Sequence, residues 1–119
     1  EKMAGEAKSE PLIVLGGLKL KQGASPEGAE KLLKEQLIPS MKGIEGLKMK
    51  VLKRVKMPNE QAPDQEAYDY IMMAEMEGIQ VFMQLSQSKN AGLSEFGDLM
   101  KEYAGHPYIN IYQIIGKSE

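Results

Sequence analysis

The sequence predicts an α+β domain of order β-α-β-β-α-β, a four-stranded antiparallel sheet with two helices on one face. Three observations carry that prediction. Leu47–Met57 and Tyr108–Ile115 alternate apolar and polar residues with the period of a strand. The segment opening at Ser25-Pro26-Glu27 instead repeats its apolar residues every three or four positions, the period of a helix. Finally, 119 residues suit one domain with a core that needs no covalent staples.

Each element has its own signal. Residues 1–10 are polar and aperiodic and read as a flexible leader, with a single domain over 11–119. Leu12–Leu20 is an apolar run that reads as the first strand, and Gly16 and Gly17 mark a bulge or the close approach of another backbone. Ser25 is placed to cap the first helix, Pro26 is pre-set for its first turn and Glu27 favours its positive end. Ala29, Leu32, Leu33, Leu37, Ile38 and Met41 make its buried stripe, and Pro39 is expected to kink or end it.

Gly43-Ile44-Glu45-Gly46 closes that helix and leads into the second strand, Leu47–Met57. Pro58–Glu66 reads as a loop and Ala67–Met76 as the third strand. A second helical region follows in two parts, Ile79–Ser88 and Ser94–Ala104. Lys89-Asn90-Ala91-Gly92 is expected to break it, Ser94 to recap it, and Gly105 with Pro107 to stop it. Tyr108–Ile115 is the last strand. This order is the split βαβ, or ferredoxin-like, pattern.

Composition narrows the function. Fifteen basic residues against seventeen acidic leave a net charge of -2, which argues against a nucleic-acid or anionic-membrane binder. The absence of cysteine removes disulfides, thiolate metal sites and cysteine nucleophiles. No apolar run approaches the roughly 20 residues that span a bilayer. The chain opens at Glu1 rather than methionine, so a processed or a trimmed product is expected, soluble and either cytoplasmic or exported after loss of a signal.

The helices cover one sheet face, so strand parity identifies the other. It should carry Ile13, Leu15, Gly17 and Lys19, then Lys48, Lys50, Leu52 and Arg54, then Asp69, Ile71, Met73 and Glu75, and last Tyr108, Asn110 and Tyr112. Tyr68 and Tyr70 fall by the same parity on the helix side, whereas Ile109, Ile111 and Ile115 form an aliphatic face that wants a dry core.

In this element order, with Ser25-Pro26-Glu27, the passage from Leu37-Ile38-Pro39 to Gly43-Ile44-Glu45-Gly46-Leu47 and the broken second helix, the chain over Leu12–Ile115 resembles the dimeric α+β barrel superfamily. Its nearest likeness is to the EthD-like, antibiotic-biosynthesis-monooxygenase-like and stress-responsive barrels. The resemblance implies a homodimer of ferredoxin-like subunits packed sheet to sheet around a cavity, a scaffold used by cofactor-free monooxygenases, isomerases, cyclases and haem-handling proteins. The haem-degrading branch uses an asparagine, tryptophan and histidine set, and this chain has no tryptophan.

Among candidates for chemistry, His106 is the only histidine and the default acid or base near neutral pH. The plainer alternative is a turn residue near a helix C-terminus. Asp69 is a second candidate base; with Glu75 six residues away, at roughly 3.3 Å per residue, the two cannot share a proton. Tyr108, Asn110 and Tyr112, spaced about 7 Å apart in turn, are the candidate ligand-binding row, able to polarise a ligand oxygen. A tyrosine-rich dimer interface would use the same residues.

Arg54, the only arginine, and Lys48 are candidate anchors for an anionic group, set against a role in cross-strand ion pairs. The nine methionines read as pliable core rather than metal ligands, so no metal and no cofactor is expected. The expected function is a homodimeric barrel binding a small, largely apolar or aromatic, oxygen-bearing molecule between sheet and helices. As an enzyme it would be a cofactor-independent monooxygenase or isomerase; the alternatives are a non-catalytic ligand-binding or stress-response protein and a purely structural dimer.

Overall fold

The computed structural model describes residues 10–56, 58, 67–88 and 90–118. Apart from Glu10 and Pro58, the leader expected over residues 1–10 and the loop expected over Pro58–Glu66 lie outside them. In chain order the elements are β1 (Leu12–Leu18), α1 (Pro26–Leu32), a π-helical segment (Leu33–Leu37), α2 (Ile38–Met41), β2 (Leu47–Lys53), β3 (Tyr70–Met76), α3 (Ile79–Gln87), α4 (Ala91–Met100) and β4 (Tyr108–Gln113). The strands form one antiparallel sheet in the order β2-β3-β1-β4.

The first helix starts where capping chemistry puts it. Ser25 accepts a hydrogen bond from the Gly28 amide at 3.1 Å, and Pro26 occupies the first turn, where a missing N–H costs nothing. Pro39 does not end the helix. Helical backbone continues to Met41 through the π turn, in which the Ile38 amide donates to the Leu33 carbonyl five residues back. A proline deprives the preceding turn of one donor and crowds its carbonyl, and a locally widened turn accommodates both effects. Ser40 Oγ donates to the Gln36 carbonyl at 2.6 Å beside it. Past Met41 the chain reverses through Gly43 and Gly46 at φ +90° and +81°, where a side chain would be strained.

The core lies between the helices and one sheet face. Ala29, Leu33, Leu37 and Met41 from the first helical run meet Leu18, Tyr70, Phe96, Met100 and Ala104, and Ala74, Met76 and Val81 form a second cluster. Parity is obeyed across the paired strands. Leu52, Ile71, Gly17 and Tyr108 form one row on the open face, Lys50, Met73, Leu15 and Asn110 the next, and Lys48, Glu75, Ile13 and Tyr112 the third.

Several expectations are corrected. β2 stops at Lys53, and β3 starts at Tyr70 rather than Ala67. Tyr68, ahead of the strand, folds onto the open face instead of the helix side, because pleat parity constrains only residues inside the ladder. Gly16 and Gly17 mark no bulge, since the register runs through them unbroken. Side chains, not backbone, approach them: a Cβ on Gly17 would lie 2.7 Å from the Tyr68 ring, and one on Gly16 would lie 2.9 Å from Met72 Cε.

Asn90, not Ser94, caps the last helix, its Oδ1 accepting from the Leu93 amide at 3.1 Å. Its Nδ2 also donates to the Ser40 carbonyl at 3.2 Å, so a contact between helices selects the cap. Ala91 and Gly92 accordingly lie inside α4. The aliphatic side of β4 faces the helix side yet is not dry. Ile109, Ile111 and Ile115 are 58%, 45% and 95% exposed, because β4 is an edge strand beyond the helices' cover.

Candidate functional site

Two recesses meet at the end of the sheet where β1 finishes and β4 begins. The larger, about 610 Å³, runs between α4 and the sheet, with Leu18, Met72, Phe96, Met100 and Ala104 as its apolar floor. Lys21, Asp98, Lys101 and the turn Gly105-His106-Pro107 line its mouth. The smaller, about 350 Å³, is lined by Lys19, Gly105, His106 and Tyr108. Gly105 and His106 line both, so the turn before β4 is their common wall.

Local hydrogen bonds hold that wall. The Lys21 amide donates to the Tyr103 carbonyl at 2.8 Å, Leu20 bridges to Ala104, and Lys21 Nζ donates to the Lys101 carbonyl at 2.6 Å. Together these fasten the segment after β1 to the turn after α4. The lysine charge sits favourably at that end of α4, where carbonyls carry partial negative charge. Lys101 also pairs with Asp98 at 3.5 Å on the exposed helix surface.

The structure brings together some of the candidate residues and separates others. His106 and Tyr108 share the smaller recess. Asp69 and Arg54 share a different hollow of about 220 Å³ on the far side of β1, with Lys53, Lys56 and Tyr70. The Asp69 carboxylate is engaged by the backbone, accepting the Leu20 amide at 2.7 Å, and the Asp69 carbonyl accepts from the Arg54 amide at 3.0 Å. Asn110 and Tyr112 continue along the open face, and Lys48 lies at its opposite corner from Tyr108, across from Glu75.

A titratable cluster not anticipated from the sequence links α1 to β2 and β3. Tyr70 donates its hydroxyl to Glu30 Oε2 at 2.7 Å, and Lys53 Nζ sits 2.8 Å from the same oxygen. Burial, reinforced by the Glu30 carboxylate, pushes the Tyr70 hydroxyl well above the usual phenol range. Hydrogen bonds from Lys53 and then Tyr70 hold Glu30 below the usual carboxylate range, and Glu30 in turn raises Lys53. All three line a shallow hollow of about 270 Å³. Their partners are one another, so the cluster works as a tie between layers.

Phe96, Met100, Lys21 and Lys101 were also missed as site residues. The first two carry the helical period of an ordinary core, and nothing local to Lys21 announces that it meets Lys101 across 80 residues. Among the described residues no group of histidines and acids is placed to hold a metal ion, and no helix is long and apolar enough to cross a membrane.

No family model and no curated protein matches the chain. Solved structures do match its fold. It is similar to the hypothetical Arabidopsis thaliana protein At3g17210, at 22% identity over 95% of each chain with a TM-score of 0.66. SnoaB, a cofactor-independent oxygenase from Streptomyces nogalater, matches at 7% identity over 92% of this chain and 97% of its own, with a TM-score of 0.66. A dimeric protein of ferredoxin-like fold from Bacteroides fragilis matches at 11% identity, 87% and 96% coverage and a TM-score of 0.61. The chain therefore has the ferredoxin-like fold, the one implied by its resemblance to the dimeric α+β barrels.

Proposed function

We propose that this protein is a homodimer whose subunits each bind a small, largely apolar, oxygen-bearing molecule in the groove between α4 and the sheet, and oxidise it without a cofactor. The observation that carries the reading is the apolar recess of about 610 Å³ with His106 at its mouth. Its size and lining suit a small ligand. The fold shared with a protein described as a cofactor-independent oxygenase supports the chemistry.

In this reading the His106 imidazole takes a proton from an activated CH₂ of the substrate. The enolate oxygen that forms lies at the groove mouth, within the field of the Lys21 and Lys101 ammonium groups. The enolate gives electrons to dioxygen; one oxygen atom enters the substrate as a carbonyl and the other leaves as water, so CH₂ and O₂ become C=O and H₂O.

The open face supports the dimer. Ile13, Leu15, Ile71 and Met73 are half-buried along its centre, and Leu52, Tyr108 and Tyr112 are 41%, 65% and 50% exposed around them. A contiguous apolar face of this kind marks an interaction surface. On this reading Tyr108, Asn110, Tyr112 and Lys48 serve the face rather than the ligand, Arg54 lies in the separate hollow beside Asp69, and Asp69 holds backbone.

Binding without turnover is the second reading, and one observation favours it: Asp69, the other candidate base, is held by the Leu20 amide away from the groove. Dioxygen uptake over a panel of quinol-like and aromatic ketone compounds decides between the two. Consumption that disappears in His106→Ala supports the oxygenase; uptake unchanged by that substitution sinks His106 as the base. Compounds that bind without uptake leave the binder.

A further inference from the structure

We infer that the ligand of the α4 groove is an amphipathic carboxylate, its apolar body on Phe96 and Met72 and its charged end at the mouth. The inference rests on the proposed use of that groove and names the class of molecule it selects. The chain as a whole is acidic, at a net charge of -2. Around the turn at His106 the balance reverses: among the described residues Lys19, Lys21 and Lys101 line the two joined recesses, against Asp98 as the one acid.

The placement of these charges decides which ligand gains from them. Lys21 is not a loose surface chain, because its ammonium is tethered to the Lys101 carbonyl at 2.6 Å. One of its three donors is used there, which leaves two for a ligand oxygen. Asp98 faces Lys101 at 3.5 Å, with the two side chains 73% and 79% exposed, so that pair is weak and easily shared with an incoming anion.

The mouth is open to water, so a carboxylate there keeps part of its hydration while its apolar portion leaves solvent. That avoids the penalty for burying an isolated charge. A neutral ligand of the same shape would fill the floor but leave the lysine donors to water.

Calorimetric titration of the full chain with 2-naphthoate and, separately, 2-naphthamide tests this. Naphthoate should bind roughly tenfold more tightly, the scale of one charge-assisted hydrogen bond that is partly open to solvent. The preference should shrink in high salt and vanish in Lys21→Gln/Lys101→Gln. Lys101→Gln alone keeps the backbone carbonyl that Lys21 uses, so it should lower the preference without disturbing the fold. Equal affinity for the two compounds overturns the carboxylate inference and leaves the groove intact. Failure of both to bind at millimolar concentration removes the groove reading itself.

Discussion

The ring of Tyr68 lies against Gly17 on the open sheet face, with its centroid 6.0 Å from the ring of Tyr108 and the two planes tilted by 47°. Gly17 and Tyr108 are paired partners on β1 and β4, so Tyr68 reaches across from the approach to β3 and covers the gap left by the absent side chain. Tilted aromatic pairs at this distance add to the area they bury.

Gly17→Ala should therefore destabilise the protein by roughly 1–3 kcal/mol, the usual cost of forcing a group into filled space. Denaturant unfolding gives the value. In the Tyr68→Ala background the same substitution should cost much less, and a full, undiminished cost there would show that the ring is not what excludes the methyl.

Asn90→Ala removes both a helix cap and the tie to the Ser40 carbonyl. A loss of about 1–2 kcal/mol is expected, whereas Ser94→Ala, on an exposed residue inside α4, should stay within about 0.5 kcal/mol. Thermal melts of the two variants side by side check the assignment, and the reverse order would return the cap to Ser94.

The Glu30 cluster predicts a pH dependence of defined sign. Glu30 titrates below its ordinary value of 4.5 in the folded chain, so its stabilisation is present above that value and is lost as pH falls through the lower, folded one. Glu30→Gln should flatten that acid limb in unfolding curves taken across the window. Tyr70 is shifted the opposite way, upward from its ordinary 10.0, so its contribution holds below pH 10.0 and fades above it. Tyr70→Phe should cost roughly 1–2 kcal/mol near neutrality, one hydrogen bond to an ionised, partly exposed carboxylate.

Met73→Lys, at the centre of the open face beside Leu15 and Lys50, should convert the proposed dimer to a monomer. Sedimentation at micromolar concentration reads this directly. A parent chain that already sediments at 13.2 kDa would remove the dimer from the proposal.

How much was legible in the sequence follows from the range of each signal. The four strands, the Ser25-Pro26 helix start and the facing of Tyr108, Asn110 and Tyr112 are recorded in spacing between near neighbours, and the structure follows that spacing closely. Pro39 shows the limit even locally, since a π turn lets the helix pass a residue that commonly stops one. For the candidate site, the sequence singled out His106 and Tyr108 and the structure joins them in one recess. Asp69 drew the same attention, but its carboxylate is engaged by the Leu20 amide.

By itself, then, the sequence determined the order of the elements and the two faces of the sheet, because side-chain alternation and helical period are properties of a few consecutive residues. Tertiary structure decided everything that depends on who meets whom. Asn90 became a cap because Ser40 was within reach, Ile109 stayed wet because no helix extends over an edge strand, and Tyr68 crossed to the open face because Gly17 left it room. The groove under α4 and the lysines at its mouth belong to that second class: segments 80 residues apart along the chain build them, and no local pattern encodes such a distance.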